Sequence, residues 1–435
     1  MPVIGCGTGP AATLTGLLPA LPPAAGFEAA LAAVAGAAPG YPGGNLITEA
    51  QGTLASLAGW EVIQGAATLG PGQVAFARDA APQRVRLALP APVAAGTRVR
   101  VLWRQEGAGG LGAEMGGVTG AFRHGAGWQG TDLTLVEAAV ALDLVAQAGA
   151  DGLVLREVAL LPLAAEGHDI LLLMGDEGIT GARSGAASDP VAERPGPRVD
   201  LFRDGVVGPA LAPVFHRERG RGLGPVEAFA ALYARRALRP GRRLLLVPAG
   251  RAGAALTAPE APWRPGNGRA GAGDLFGAAV ADALAALALP GEARLVAAWW
   301  AGGAVDLVAG AAPVDYALAL ADLVAGLRGA LGADLPVVIS GANPAAAPAE
   351  WLAAEAALDR DSGAPGAVPG VMVVPWTAGL GDGTAPGEAA AFSGGANRLR
   401  GAEAARALID RELGAAALDV IGPGDLITED LLIAA

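Results

Sequence analysis

The sequence predicts an α/β layer, with a parallel sheet flanked by helices, preceded by an antiparallel β-sandwich. Three observations carry this. From Asn45 to about Leu163, apolar and polar residues alternate in short runs separated by Gly and Pro. Period two with intervening turn signals is the pattern of strands that bury one face. From Gly167 to about Leu413, unbroken apolar runs alternate with stretches of helical length. That is the grammar of a parallel sheet covered on both sides. The composition permits both layers, since 52% of the 435 residues are apolar and only 17% charged.

Taken in chain order, residues 1–43 form an Ala/Pro/Gly-rich lead in which Phe27 to Ala35 could make one short helix. Such a segment buries no core alone, so it reads as an anchor that orders on a partner or as a flexible arm. Residues 44–165 form the sandwich. Its strands are Gln73-Val-Ala-Phe-Ala, Arg84-Val-Arg-Leu-Ala-Leu, Thr97-Arg-Val-Arg-Val-Leu-Trp, Thr131-Asp-Leu-Thr-Leu-Val, Leu142-Asp-Leu-Val and Leu153-Val-Leu-Arg-Glu-Val. Residues 166–415 form the α/β layer. The strands there are Ile170-Leu-Leu-Leu-Met, Leu244-Leu-Leu-Val, Leu295-Val-Ala-Ala-Trp-Trp and Leu335-Pro-Val-Val-Ile. The helices are Val226 to Ala237, Leu275 to Ala288, Tyr316 to Leu331 and Ala402 to Leu413. Residues 416–435 are a short tail.

Charge and composition exclude several classes of function. A net charge of −12 argues against nucleic acid or an anionic membrane surface as the main partner. One cysteine, Cys6, allows no disulfide framework and no cysteine-cluster zinc site. The three histidines, His124, His168 and His216, lie far apart in sequence, so no His-rich metal site and no cofactor are expected. The apolar runs are too short or too interrupted for membrane insertion. The opening Met-Pro-Val-Ile-Gly-Cys-Gly has no positive region before an apolar core, so no secretory signal is expected.

In the sandwich, Asn45-Leu-Ile-Thr leads to Gly59-Trp60, Gly96-Thr97 precedes a long strand, and Asp151-Gly precedes the last one. This order resembles the jelly-roll carbohydrate-binding modules of glycan-active enzymes and phage fibres. Trp60 and Trp128 could then offer stacking faces to sugars, with core packing as the alternative for each, as for Trp103.

In the α/β layer, Ile170-Leu-Leu-Leu-Met leads into Gly175-Asp176-Glu177-Gly178-Ile179-Thr180-Gly181. Asp204-Gly-Val-Val, Pro213-Val-Phe-His216, Gly224-Pro225, Ala252-Gly253-Ala254 and Trp299-Trp300-Ala301-Gly302-Gly303-Ala304 follow. Glu388-Ala-Ala-Ala391-Phe392-Ser393 and Asn397-Arg398-Leu-Arg-Gly401 close the series. In order and spacing these landmarks resemble the SGNH/GDSL-type carbohydrate esterases of the sialate O-acetylesterase-like group. That family has Gly-Gln-Ser-Asn-Met-Ala-Gly after its first strand, then a Trp-His-Gln-Gly-Glu-Ser block and an Asp-x-x-His-Phe-Ser segment.

The resemblance implies an SGNH-hydrolase-like fold and a degenerate site. Glu177 stands at the nucleophile position and Gly178 at the oxyanion-hole asparagine. Ala301 and Gly303 replace the Gln and Glu of the tryptophan block. Glu388 stands at the acid position and Ala391 at the base. A serine hydroxyl and an imidazole are what the family's acyl transfer requires. The chain is therefore expected not to be an enzyme but a pseudo-esterase. Its cleft could still hold sugar, because ground-state and transition-state contacts are separable. Asp176, Glu177, Arg183, Arg251 and Trp300 are the candidate lining, with a plain surface charge as the alternative for Arg251 and a buried-core role expected for Trp299.

The function expected is recognition of cell-surface polysaccharide by a spike or fibre of a phage or gene transfer agent. Residues 1–43 would dock on a particle protein, the assembly would be a homo-oligomer, and the location would be the particle surface. The alternative is a carbohydrate O-acetylesterase with a non-standard site, for which a Ser184–His216 pair is the open possibility. A spacer that binds nothing is the third reading.

Overall fold

The structure is a computed structural model that describes residues 45–150, 152–163, 167–181, 196–214, 216–217, 223–344, 346–375 and 394–413. These all belong to one compact unit, Tyr41–Ala435. The lead and tail segments lie outside the described residues.

After a short helix α1 (Glu49–Gly52), the sandwich strands are β1 (Trp60–Gln64), β2 (Thr68–Gly70), β3 (Gln73–Phe76), β4 (Gln83–Val93) and β5 (Arg98–Glu106). They continue with β6 (Leu111–Met115), β7 (Val118–Thr119), β8 (Gly127–Thr134), β9 (Ala139–Ala146) and β10 (Leu153–Pro162). One sheet has the order β1-β4-β9-β6-β7 and the other β2-β3-β10-β5-β8, with antiparallel pairing throughout. Alternation is the cause. On β4, Val85 and Leu87 enter the core, while Arg84 and Arg86 point out to Asp143 on β9, at 3.2 and 2.7 Å. Asn45 ties the opening segment to the last strand: its Oδ1 accepts from Leu160 N at 3.0 Å.

The second layer contains β11 (Gly167–Gly175), α2 (Glu177–Thr180), β12 (Val199–Arg203), β13 (Val206–Pro209), α3 (Val226–Arg236) and β14 (Arg242–Pro248). Then come α4 (Leu275–Leu287), β15 (Glu292–Ala301), α5 (Ala304–Val308), α6 (Pro313–Leu331), β16 (Val337–Ser340), α7 (Ala349–Ala356), β17 (Val371–Val374) and α8 (Gly394–Leu408). The sheet order is β13-β12-β14-β11-β15-β16-β17, parallel except for β13. Strand β11 shows why the layer is double-sided. Ile170, Leu172 and Met174 pack with α4 and α6, whereas Leu171 and Leu173 pack with α3 and α8.

The expected architecture is the observed one: a parallel sheet flanked by helices, behind an antiparallel sandwich. Some elements lie beyond the sequence reading. Helix α6 starts at Pro313 rather than Tyr316, because proline suits a first helical turn that needs no N–H partner. Helix α8 starts at Gly394 rather than Ala402. The hairpin β12–β13 turns at Asp204 and Gly205, both at positive φ (52° and 77°), as a primed two-residue turn requires.

That hairpin covers the outer face of the second sandwich sheet. Leu102, Trp128, Ala159 and Leu161 form a small buried cluster there against Leu211. A side chain at Gly130 would come within 3.2 Å of Pro209, so glycine lets the layers approach. Arg100 on β5, 1% exposed, reaches from the sandwich to Asp200 on β12 at 2.6 Å.

Candidate functional site

Strand β11 is central, with β14 on one side and β15 on the other, so chain connections leave it in both directions. In such sheets the crevice for ligands opens at the carboxyl ends of the strands around that point. The elbow Gly175–Gly181 stands there. Gly175, at φ 132°, packs on the Ala301 backbone so closely that a Cβ would collide with the Ala301 carbonyl.

Asp176 organises the turn. It is fully buried; its Oδ1 accepts from Gly178 N at 2.9 Å, and Oδ2 accepts from Gly303 N at 2.9 Å and Val305 N at 3.4 Å. This caps α2 and stitches the β11 and β15 ends together. Burial, joined by the Glu177 charge, pushes the Asp176 carboxyl up to about 6. Glu177 follows as the first residue of α2 and is 4% exposed.

A second charged group approaches from α8. Arg400 is 7% exposed and donates to the carbonyls of Gly178 (3.4 Å), Ser340 (3.2 Å) and Gly341 (3.4 Å). Burial lowers its guanidinium to about 10, against the pull of Asp176 and Glu355. Glu355 on α7 accepts from Ala342 N at 2.9 Å and Trp351 Nε1 at 3.1 Å, and burial raises it to about 7. His216 borders α2 from another side: at Gly250, a Cβ would meet Ile179 and lie 2.9 Å from His216 Nδ1 and 3.1 Å from Thr180 Cγ2. The imidazole is 3% exposed, and burial holds it down to about 3, hence neutral. Its Nδ1 has no hydrogen-bond partner among the described residues.

Of the residues singled out in sequence, the structure brings together Asp176, Glu177, Gly178, Ala301 and Gly303. Arg251 joins them through its backbone N, which donates to Gly175 O at 3.0 Å. Arg183, Ser184, Glu388 and Ala391 lie outside the described residues.

The tryptophans do not serve as stacking faces. Trp300 is 1% exposed, lies edge-on to Trp263 at 5.5 Å, and donates to Tyr316 Oη at 3.1 Å. Its strand position points it to the side of the sheet covered by α4 and α6, as that of Trp299 points it to the side covered by α3 and α8. Trp60 belongs to the sandwich core, and Trp128 to the contact with the hairpin. His168 sits at the opposite end of β11, with Nε2 3.6 Å from Asp200.

Asp306, Glu355 and Arg400 went unnoticed in sequence. Asp306 fixes the loop after β14, accepting from Leu256 N (3.0 Å), Thr257 N (2.8 Å) and Thr257 Oγ1 (2.7 Å). Arg400 stood within the Asn397-Arg398-Leu-Arg-Gly401 landmark, but the sequence pattern gave it no role there.

The buried acids give a pH signature. Asp176 and Glu355 have folded values above their ordinary 3.8 and 4.5, so each takes up a proton on folding, up to about pH 6 and 7. Their contribution is complete at low pH and lost as pH rises through those values. His216, lowered from 6.5, acts oppositely: its contribution is present above that value and lost as pH falls toward about 3. Glu355→Gln should therefore shrink the stability lost between pH 5 and pH 8 by about 2 to 3 kcal/mol. Urea unfolding of both proteins at the two pH values checks this. An unchanged difference would contradict the assignment.

The fold is an α/β layer joined to an antiparallel sandwich, with the elbow at the carboxyl end of its central strand. Several solved structures are similar to the chain. One is a protein from Arabidopsis thaliana at 18% identity, covering 57% of this chain and 99% of that one, with a TM-score of 0.43. Another, named NanS, is 14% identical, covers 57% of this chain and 98% of its own, with a TM-score of 0.42. A family two carbohydrate esterase from Cellvibrio japonicus is 13% identical and covers 81% and 96%, with a TM-score of 0.34. No family model and no curated protein matches the chain.

The expectation that the chain is not an enzyme is corrected beside these neighbours, which include a named carbohydrate esterase. The physical reason is that a glutamate rather than a serine at position 177 closes only one route to ester cleavage, the covalent one. A carboxylate can instead draw a proton from water.

Proposed function

We propose that the chain is a carbohydrate O-acylesterase with a non-standard site, in which water is the attacking oxygen and Glu177 the general base. The observation that supports this is the placement of Glu177 at the carboxyl end of β11, on a turn held by Asp176. In the reaction, Glu177 takes a proton from water as the water oxygen bonds to the acyl carbon. The tetrahedral intermediate then expels the sugar oxygen. That oxygen receives the proton held by Glu177, which restores the carboxylate and leaves a free carboxylic acid and a free sugar hydroxyl.

Glu177→Gln keeps the size of the side chain and removes its basicity. It should lower turnover of a fluorogenic acetate ester about 100-fold, the scale of a lost general base. Ser184→Ala should leave the rate unchanged. A rate that survives Glu177→Gln but falls with Ser184→Ala would replace this reading with a serine mechanism.

The setting we propose is the surface of a particle appendage facing cell-surface polysaccharide, with residues 1–43 as the docking arm and several copies assembled together. Its support is the sequence order: an Ala/Pro/Gly-rich lead, a sandwich that resembles carbohydrate-binding modules, and an esterase-like layer.

A further inference from the structure

The geometry points to Arg400 as the positioning residue of the elbow, tying the Gly178 carbonyl to the end of β16 and thereby aiming the Glu177 carboxylate. The inference rests on the reading of Glu177 as the general base. Residue 178 is held at both of its backbone polar groups. Its N–H is taken by Asp176 Oδ1 at 2.9 Å, and its carbonyl by Arg400 Nη1 at 3.4 Å. The same guanidinium reaches Ser340 O and Gly341 O through Nη2. Glu177 lies between the two held residues, so its backbone direction is fixed from either side.

Glycine at 178 is part of the device. A Cβ there would stand 2.8 Å from Ala301 O, so the backbone could not keep its place, and 3.1 Å from Arg400 Nη1, which would have to give by a few tenths of an ångström. Burying a guanidinium is costly, and an apolar side chain of similar volume would fill the same space at less cost. What the guanidinium adds is direction: several donors in one rigid plane, which a lysine ammonium cannot match. Asp176 and Glu355 balance its charge from the elbow and from α7. The trio thus links β11, β16, α7 and α8 beneath one catalytic carboxylate.

Arg400→Lys and the double variant Arg400→Met/Glu355→Met test this, the second removing the buried acid along with its balancing cation. Two readouts are taken on the full chain: amide hydrogen exchange across residues 176–181, and kcat and KM on a fluorogenic acetate ester. We expect at least tenfold faster exchange at the elbow in both variants. With it should come a fall in kcat of about 10- to 100-fold, on the scale of a misplaced reacting group, and a KM within about twofold. Unchanged exchange in both variants overturns the inference whatever the turnover. Faster exchange with unchanged kcat overturns it too, since the elbow would then be loosened without effect on the base. Faster exchange in a protein whose wild type shows no turnover supports the positioning of the elbow and rejects the esterase reading instead.

Discussion

Asp169→Ala should cost about 3 to 5 kcal/mol of folding stability, the scale for breaking a buried ion pair from one side. Asp169 is fully buried on β11. It accepts from Arg242 Nε at 2.6 Å, from Arg294 Nε and Nη2 at 2.8 and 2.9 Å, and from Tyr233 Oη at 2.8 Å. Removing the carboxylate leaves the Arg242 Nε without its acceptor in a side chain 6% exposed, whose remaining partners are the carbonyls of His168 and Glu292 and the exposed Glu292 carboxylate. It also leaves a buried tyrosine hydroxyl without its acceptor. The double variant Asp169→Leu with Arg242→Met removes both charges and should recover much of the loss, since apolar pairs of similar volume avoid the desolvation penalty. Denaturant unfolding of the single and double variants checks both statements. Equal destabilisation in the two would show that packing, rather than charge, sets the cost. Burial raises the Asp169 carboxyl, but the arginine and tyrosine hydrogen bonds outweigh it and hold it below its ordinary range. The contribution is therefore present above about pH 4 and lost as pH falls below it.

Asp200→Ala should have an effect of similar size, about 3 to 5 kcal/mol, with a different signature. Asp200 is 1% exposed and joins two cations from different layers: Arg100 of the sandwich at 2.6 Å and Arg243 of β14 at 2.6 Å. Arg100 also pairs with Asp132 at 2.7 Å and donates to Val199 O at 3.2 Å. Burial disfavours both charges, yet the mutual attraction prevails: it holds Asp200 well below and Arg100 well above their ordinary values. The wild type should therefore unfold as one transition, its layers coupled through this node and the Leu102–Trp128–Leu211 cluster. In Asp200→Ala the sandwich and the α/β layer should separate into two transitions, seen by calorimetry. A single transition merely moved to lower temperature would mean that the coupling lies elsewhere.

Legibility in the sequence followed burial geometry. Strands such as β4 and β11 were readable because each residue obeys a simple rule: alternate burial in one, full burial in the other. Strand β1 was not, since only Trp60 of Trp60–Gln64 is buried and the pattern carries no period. Strand β6 includes Gly112, whose missing Cβ leaves room for the Phe122 ring, so its signal comes from a neighbour rather than from itself. The elbow positions Glu177, Gly178, Ala301 and Gly303 were legible because they lie at or just beyond the ends of two unbroken apolar strands. The core role of Trp299 was legible too, but that of Trp300 was not, because the helices that cover its side of the sheet lie far away in sequence. Arg400 and Glu355 lie 223 and 178 residues beyond Glu177, and only the folded sheet brings those helices to its edge.

The central claim is that this elbow cleaves sugar esters with water, and not a protein oxygen, as the attacking atom. The most direct measurement is an acid quench of the wild-type chain during turnover of a fluorogenic acetate, followed by intact-protein mass and by acetate release. Steady release, lost in Glu177→Gln, is expected from protein that carries no acetyl group. A chain found acetylated at the quench, or release no faster than in the Glu177→Gln variant, would contradict it.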